Sequence, residues 1–147
     1  MFAVPPNTVA LGGTPVDAHP VLIAQQFAAD RARWAGLLRY DPDERFASLV
    51  ERTVDQEIWL MSWLPGQSTD THDHGWTSGA FTVVSGTLVE RTTVPGATAV
   101  ERPLVAGQSR VFGPGYAHRV RNDSADPAVS IHVYRGERPP RGGFTVG

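Results

Sequence analysis

Cysteine is absent from the 147 residues of this chain, which excludes disulfides, thiolate metal sites and a cysteine nucleophile together. An excess of either charge is missing too. The 13 Lys and Arg stand against 15 Asp and Glu, for a formal net charge of -2, so nothing points to nucleic acid or to an anionic membrane surface. No run approaches the ~20 apolar residues of a membrane span. The opening stretch, MFAVPPNTVALGGTPVD, lacks a basic segment ahead of an apolar one, as a secretory signal would require. These absences lead to the expectation of a soluble, cytoplasmic protein. What is present is a chain long enough to bury a core without covalent staples, and of a length that fits a single domain.

Organisation changes near Asp41-Pro42. Before it, DAHPVLIAQQFAADRARWAGLL places Leu22, Ile23, Gln26-Phe27, Asp30 and Trp34 at roughly helical spacing. Asp17 is a candidate N-cap, and Pro20 lies early, where a first turn tolerates it. One or two helices are expected over residues 1–40. After it, the β-branched and aromatic runs EIWLMSWL, AFTVVSG, TLVERTTV, TAVERPLV, SRVFGPG, AHRVRN and AVSIHVYRG alternate with Gly, Pro, Asn and Asp. Strands so spaced argue for a sandwich or small barrel over residues 41–134, with residues 135–147 as a tail. The fold expected is mainly β.

The run STDTHDHGWTSGAF carries His72 and His74 two apart. If Thr71 to Trp76 is extended, both imidazoles share one face while Asp73 points away, and two from one strand can chelate one ion. Around them a spacing of glycines and histidines recurs: Gly66, His72, His74, Gly79 and Gly86, then Gly107, Gly113-Pro114-Gly115, His118 and Asn122. This resembles the two motifs of the cupin superfamily, Gly-x5-His-x-His-x3-4-Glu-x6-Gly and Gly-x5-Pro-x-Gly-x2-His-x3-Asn. The resemblance implies a single-domain cupin, a small barrel of jelly-roll type whose glycines mark tight turns and whose histidines converge inside. Two positions depart, Gly79 from the acidic ligand and Gly113 from the proline.

Without that carboxylate, the resemblance implies His72, His74 and His118 as the ligand set. Three imidazoles leave open positions, and Fe(II) with open positions suits oxygen chemistry. Zinc held by three histidines is the competing chemistry. A substrate thiolate would supply the anionic charge that the histidines lack.

The blocks WLPGQSTDTHDHGWTSGAFTVVSGTLVE and GPGYAHRVRNDSADPAVSIHVY resemble the cysteine dioxygenase (thiol dioxygenase) family in three ordered motifs: His-Asp-His-Gly, His-Arg-Val-x-Asn and Ser-x-His-x-Tyr. The resemblance spans Trp59 to Tyr134, roughly half of the chain. It implies a non-haem Fe(II) enzyme that adds both atoms of dioxygen to the sulfur of a small thiol, most readily cysteine, giving a sulfinic acid; a monomer is expected. The alternatives are a dioxygenase of 3-mercaptopropionate or another mercapto-acid, a non-catalytic metal-binding cupin that senses a small ligand, and a different cupin activity such as isomerisation or diketone cleavage.

In SIHVY, Ser130, His132 and Tyr134 share one strand face, with Ile131 and Val133 on the other. The family resemblance makes these three a relay in which Tyr134 lies beside substrate and oxygen, His132 orients its hydroxyl, and Ser130 fixes the imidazole. His132 is therefore not expected to be a metal ligand. In animal members a cysteine crosslinks to this tyrosine. Gly79 occupies the matching position, so Tyr134 is expected to act unmodified. His19 reads as a surface or helix-start residue.

Substrate choice turns on an arginine, whose fork suits a carboxylate. Cysteine-specific members carry an aromatic-x-Arg element. Here the comparable element is Phe46-x-Ser48, with Arg45 just before it. Relatives acting on 3-mercaptopropionate draw their arginine from after the closing tyrosine, where Arg135, Arg138 and Arg141 stand. Arg45 is the first choice among the four.

Overall fold

The computed structural model describes residues 18–70, 77–93 and 96–136. One helix and eight strands follow in order: α1 (Pro20–Ala29), β1 (Phe46–Arg52), β2 (Gln56–Trp63), β3 (Thr77–Ser85), β4 (Thr87–Thr93), β5 (Val100–Val105), β6 (Ser109–Phe112), β7 (Ala117–Arg121) and β8 (Ala128–Gly136). Two single 3₁₀ turns, Arg31–Arg33 and Ala35–Leu37, continue from the helix.

Pro20 occupies the first turn of α1, where its missing N–H costs nothing. The side chain that caps the turn is that of His19, whose Nδ1 accepts from Val21 N at 3.0 Å. The helix-start role expected for His19 is thus borne out. Asp17, the expected cap, lies outside the described residues. Trp34 is not part of the helix, but its Nε1 donates to Phe27 O at 2.7 Å, a second donor to the carbonyl that also accepts from Asp30 N at 3.0 Å.

The strands form two antiparallel sheets, a five-stranded one in the order β1-β2-β8-β3-β6 and a three-stranded one in the order β5-β4-β7. The seven strands expected after residue 56 all form. The eighth, β1, falls where no strand was expected, because FASLVER is only half-buried and shows no clean alternation.

Period-two alternation sorts the large sheet into two apolar layers. Met61, Trp63, Phe81, Val83, Phe112, Ala128 and Tyr134 meet Leu88, Leu104 and Val120 of the small sheet, forming the core between the sheets. Ile58, Leu60, Val129, Ile131 and Val133 point the other way and are covered by Ile23, Ala24, Phe27 and Trp34. The helical segment therefore lies on the outside of the barrel. Gly66, Gly86, Gly107 and Gly115 all have positive φ, the backbone that the turns between barrel strands demand. The barrel that the strand runs and the cupin resemblance implied is the one observed.

Candidate active site

β8 decides where the chemistry can lie. Its odd-numbered members Val129, Ile131 and Val133 are buried under the helix, so Ser130, His132 and Tyr134 are turned into the barrel. A strand with a polar and an apolar face here has both faces buried, and the polar one faces the interior. Trp63 Nε1 donates to Ser130 Oγ at 2.9 Å, Ser130 Oγ and His132 Nε2 are 2.8 Å apart, and His132 Nδ1 lies 3.4 Å from Tyr134 Oη. An indole nitrogen only donates, so Ser130 accepts from Trp63 and has its own hydrogen to give to His132 Nε2. If Ser130 gives that hydrogen to Nε2, Nδ1 carries the imidazole hydrogen and donates to Tyr134 Oη; in the other tautomer the phenol donates to Nδ1. Phe81 stacks on His132 at 4.9 Å between centroids and 9° between planes, fixing the ring.

Tyr134 is 2 % exposed. Burial holds its phenol well above the ordinary tyrosine range; the Arg45 guanidinium pulls it down and the Glu57 carboxylate pushes it up. Tyr134 thus stays protonated at neutral pH and can donate.

Arg45 lies on the interior face. Ala47, two residues on, faces Met61 across the β1–β2 ladder and packs on the inner core. Arg45 Nη1 approaches Met61 Sδ at 3.0 Å, and its Cζ lies 5.4 Å from the centre of the Trp63 ring, in cation–π range. Burial lowers its pKa, while Tyr134 and Glu44 raise it. Ser48 faces Leu60 of the outer cluster, so an arginine at 48 would point away from the barrel in this chain. Arg135 also points away, its Nη2 donating to Ala18 O at 2.9 Å and to Gln56 Oε1 at 2.7 Å. It ties the segment ahead of α1 to the sheet and is not available to an interior ligand. Arg138 and Arg141 lie outside the described residues.

His118, on β7, is 3 % exposed and packs on Phe112 with ring centroids 5.7 Å apart, while Tyr134 packs on the same ring at 5.9 Å. One aromatic ring thus lies between the histidine and the hydrogen-bonded side chains of β8. Glu90 of β4, to which no motif assigns a role, lies 2.8 Å through Oε2 from His118 Nδ1. Its Oε2 also accepts from Tyr116 Oη at 3.3 Å, and its Oε1 faces Arg110 Nε at 3.3 Å. Burial, with Glu90 beside it, pushes the Tyr116 phenol up to about 12. A carboxylate only accepts, so His118 donates from Nδ1 to Glu90; a neutral imidazole with its hydrogen there offers Nε2 to a metal. His72 and His74 lie outside the described residues.

Gly79 stands directly across the ladder from Tyr134 on one side and Phe112 on the other. A Cβ there would overlap the Val133 carbonyl oxygen and lie 2.9 Å from Phe112 Cζ. The ring of Phe112 and the β8 backbone thus leave no room for a side chain at 79, acidic or thiol. Asn122, last of the motif, is a buried turn residue whose Nδ2 donates to Trp63 O at 3.0 Å and Asp126 O at 2.8 Å.

Two facing antiparallel sheets with an inward histidine and glycine turns define a cupin. A family model for cysteine dioxygenase type I matches residues 11–141, and the chain belongs to that family. Among solved structures it is similar to the TT1209 protein from Thermus thermophilus, at 28% identity and a TM-score of 0.63, over 71% of this chain and 94% of that one. It is similar as well to an uncharacterized conserved protein with a double-stranded β-helix domain from Klebsiella pneumoniae, at 25% identity and a TM-score of 0.63, over 76% and 90% of the two chains. A cupin superfamily protein from Desulfitobacterium hafniense, 11% identical with a TM-score of 0.58 over 71% and 89%, shares the fold. A comparison with curated proteins returns no match. The family marks the chain as a dioxygenase-type enzyme acting on a small molecule with O2, of a class that typically binds a metal. No helix among the described residues is long and apolar enough to cross a membrane.

Proposed function

We propose that this protein is an Fe(II)-dependent thiol dioxygenase that converts a small carboxylate-bearing thiol, cysteine foremost and 3-mercaptopropionate next, to its sulfinic acid. The observation that carries the reading is the buried run Trp63, Ser130, His132, Tyr134 facing the interior, with Arg45 over the Trp63 ring. His72, His74 and His118 would hold the metal, which supplies the activation of dioxygen when bound.

The reaction balances without a further reductant. RSH and O2 give RSO2H; the sulfur loses four electrons and dioxygen takes up all four. The residues bind, orient and shield. Arg45 pairs with the substrate carboxylate, exchanging a weak thioether acceptor on Met61 for a charge-assisted fork. Tyr134, kept protonated by burial, donates its hydroxyl beside the reacting sulfur, and His132 and Ser130 hold that hydroxyl in place. Phe81 and Phe112 keep water from the same space.

Protein purified without oxygen should contain one Fe per chain and consume one O2 per sulfinate formed when given cysteine, 3-mercaptopropionate, mercaptosuccinate or cysteamine in turn. Iron-loaded protein that takes up no oxygen with any of the four would refute the reading.

A further inference from the structure

Buried carboxylates are costly unless fully paired, and Glu90 is 1 % exposed in the middle of the barrel wall. Its partners come from three places in the chain: His118 on β7, Arg110 on β6 and Tyr116 in the turn between them. Leu88, two residues earlier, packs in the core, so the inward turn of Glu90 follows from strand alternation. A cleft of about 240 Å³ opens beside the carboxylate, lined by Glu90, Thr92, Val100, Arg102, Arg110 and Tyr116. Arg110 and Tyr116 thus line the cleft and bond the carboxylate that also holds His118.

We propose that Glu90, anchored by Arg110, is a positioning residue that selects which nitrogen of His118 is offered to the metal. The inference rests on His118 being a ligand, as proposed above. A neutral imidazole carries its hydrogen on either nitrogen, and only the unprotonated one binds metal. With the hydrogen held on Nδ1 by Glu90 Oε2, every molecule presents Nε2, and the ring plane is fixed before metal arrives. Loss of such an outer partner costs 10–100-fold in metal affinity in well-studied sites.

The test reads the tautomer and the affinity separately. Long-range ¹H–¹⁵N spectra of the metal-free protein, with His118 assigned by difference against His118→Asn, should show a protonated Nδ1 and a bare Nε2. Glu90→Gln should give a mixed tautomer, and Arg110→Met a smaller change in the same direction. Anaerobic competition titrations with Fe(II) should show affinity falling roughly 10–100-fold for Glu90→Gln. A wild-type His118 protonated on Nε2 overturns the proposal even if Glu90→Gln fails to fold. Unchanged tautomer and affinity in a folded Glu90→Gln protein overturn it too, while His118→Asn still losing the metal leaves the ligand assignment standing. Affinity unchanged in His118→Asn removes instead the reading on which the proposal rests.

Discussion

Replacing Tyr134 with Phe separates catalysis from stability at one atom. The hydrogen bond between the phenol and His132 Nδ1 spans 3.4 Å, at the long limit of such a bond, so its net worth falls at or below the usual range of about 0.5–1.5 kcal/mol. The ring remains and continues to pack on Phe112, and burial of the hydroxyl, a cost in itself, disappears. The expected stability change is therefore within about 1 kcal/mol, or roughly 2–4 °C in Tm for a domain of this size. The rate should behave otherwise. A positioned proton donor contributes about 10²–10⁴-fold, which at about 1.36 kcal/mol per decade is about 2.7–5.4 kcal/mol of barrier. Oxygen consumption on cysteine by iron-loaded protein, with iron content and thermal unfolding measured on the same sample, tests both halves. A variant with wild-type turnover would show that Tyr134 only packs. A loss of turnover that merely tracks a loss of iron or of folded protein would equally refute the relay.

The remaining predictions concern the arginine, the tyrosines and Gly79. Arg45→Ala should raise KM strongly for cysteine and 3-mercaptopropionate and leave cysteamine, which has no carboxylate, nearly unchanged; equal losses for all three would mean that Arg45 acts through stability. Tyr116 and Tyr134 are both held above the ordinary tyrosine value of 10.0, so each favours folding fully below pH 10, and that stability declines as pH rises, for Tyr116 between about 10 and 12. Absorbance titration of folded protein at pH 10 should show no more than one ionised tyrosine, with Tyr116 following only near pH 12 and Tyr134 later still. Gly79→Ala should destabilise by several kcal/mol or prevent folding, because the new methyl meets backbone at Val133 and the Phe112 ring; a stable, crosslink-competent Gly79→Cys would contradict the packing described.

How much of this was legible in the sequence depends on how far each residue's partners lie along the chain. The β8 pattern was fully legible, since a period of two assigns Ser130, His132 and Tyr134 to one face whatever the rest does. Which face looks inward is decided by Ile23 and Phe27, over 100 residues away, covering Ile131 and Val133. The cap of α1 falls to His19 because the histidine's Nδ1 stands in reach of Val21 N just ahead of Pro20. Arg45 was legible only as a neighbour of Phe46; its inward direction follows from the β1–β2 register, in which Ala47 meets Met61 and Ser48 meets Leu60. Glu90 had one local signal, its even spacing from Leu88 in TLVERTTV. That signal is shared with no partner nearby, since Arg110 and His118 arrive from 20 and 28 residues downstream. In sequence it is indistinguishable from Glu101, which the fold leaves at the surface with Arg121. The two glutamates differ only in what the barrel closes over them. A site that sits inside a barrel is for this reason half readable: the residues of one strand announce their common face, and the groups that orient them from the opposite sheet do not.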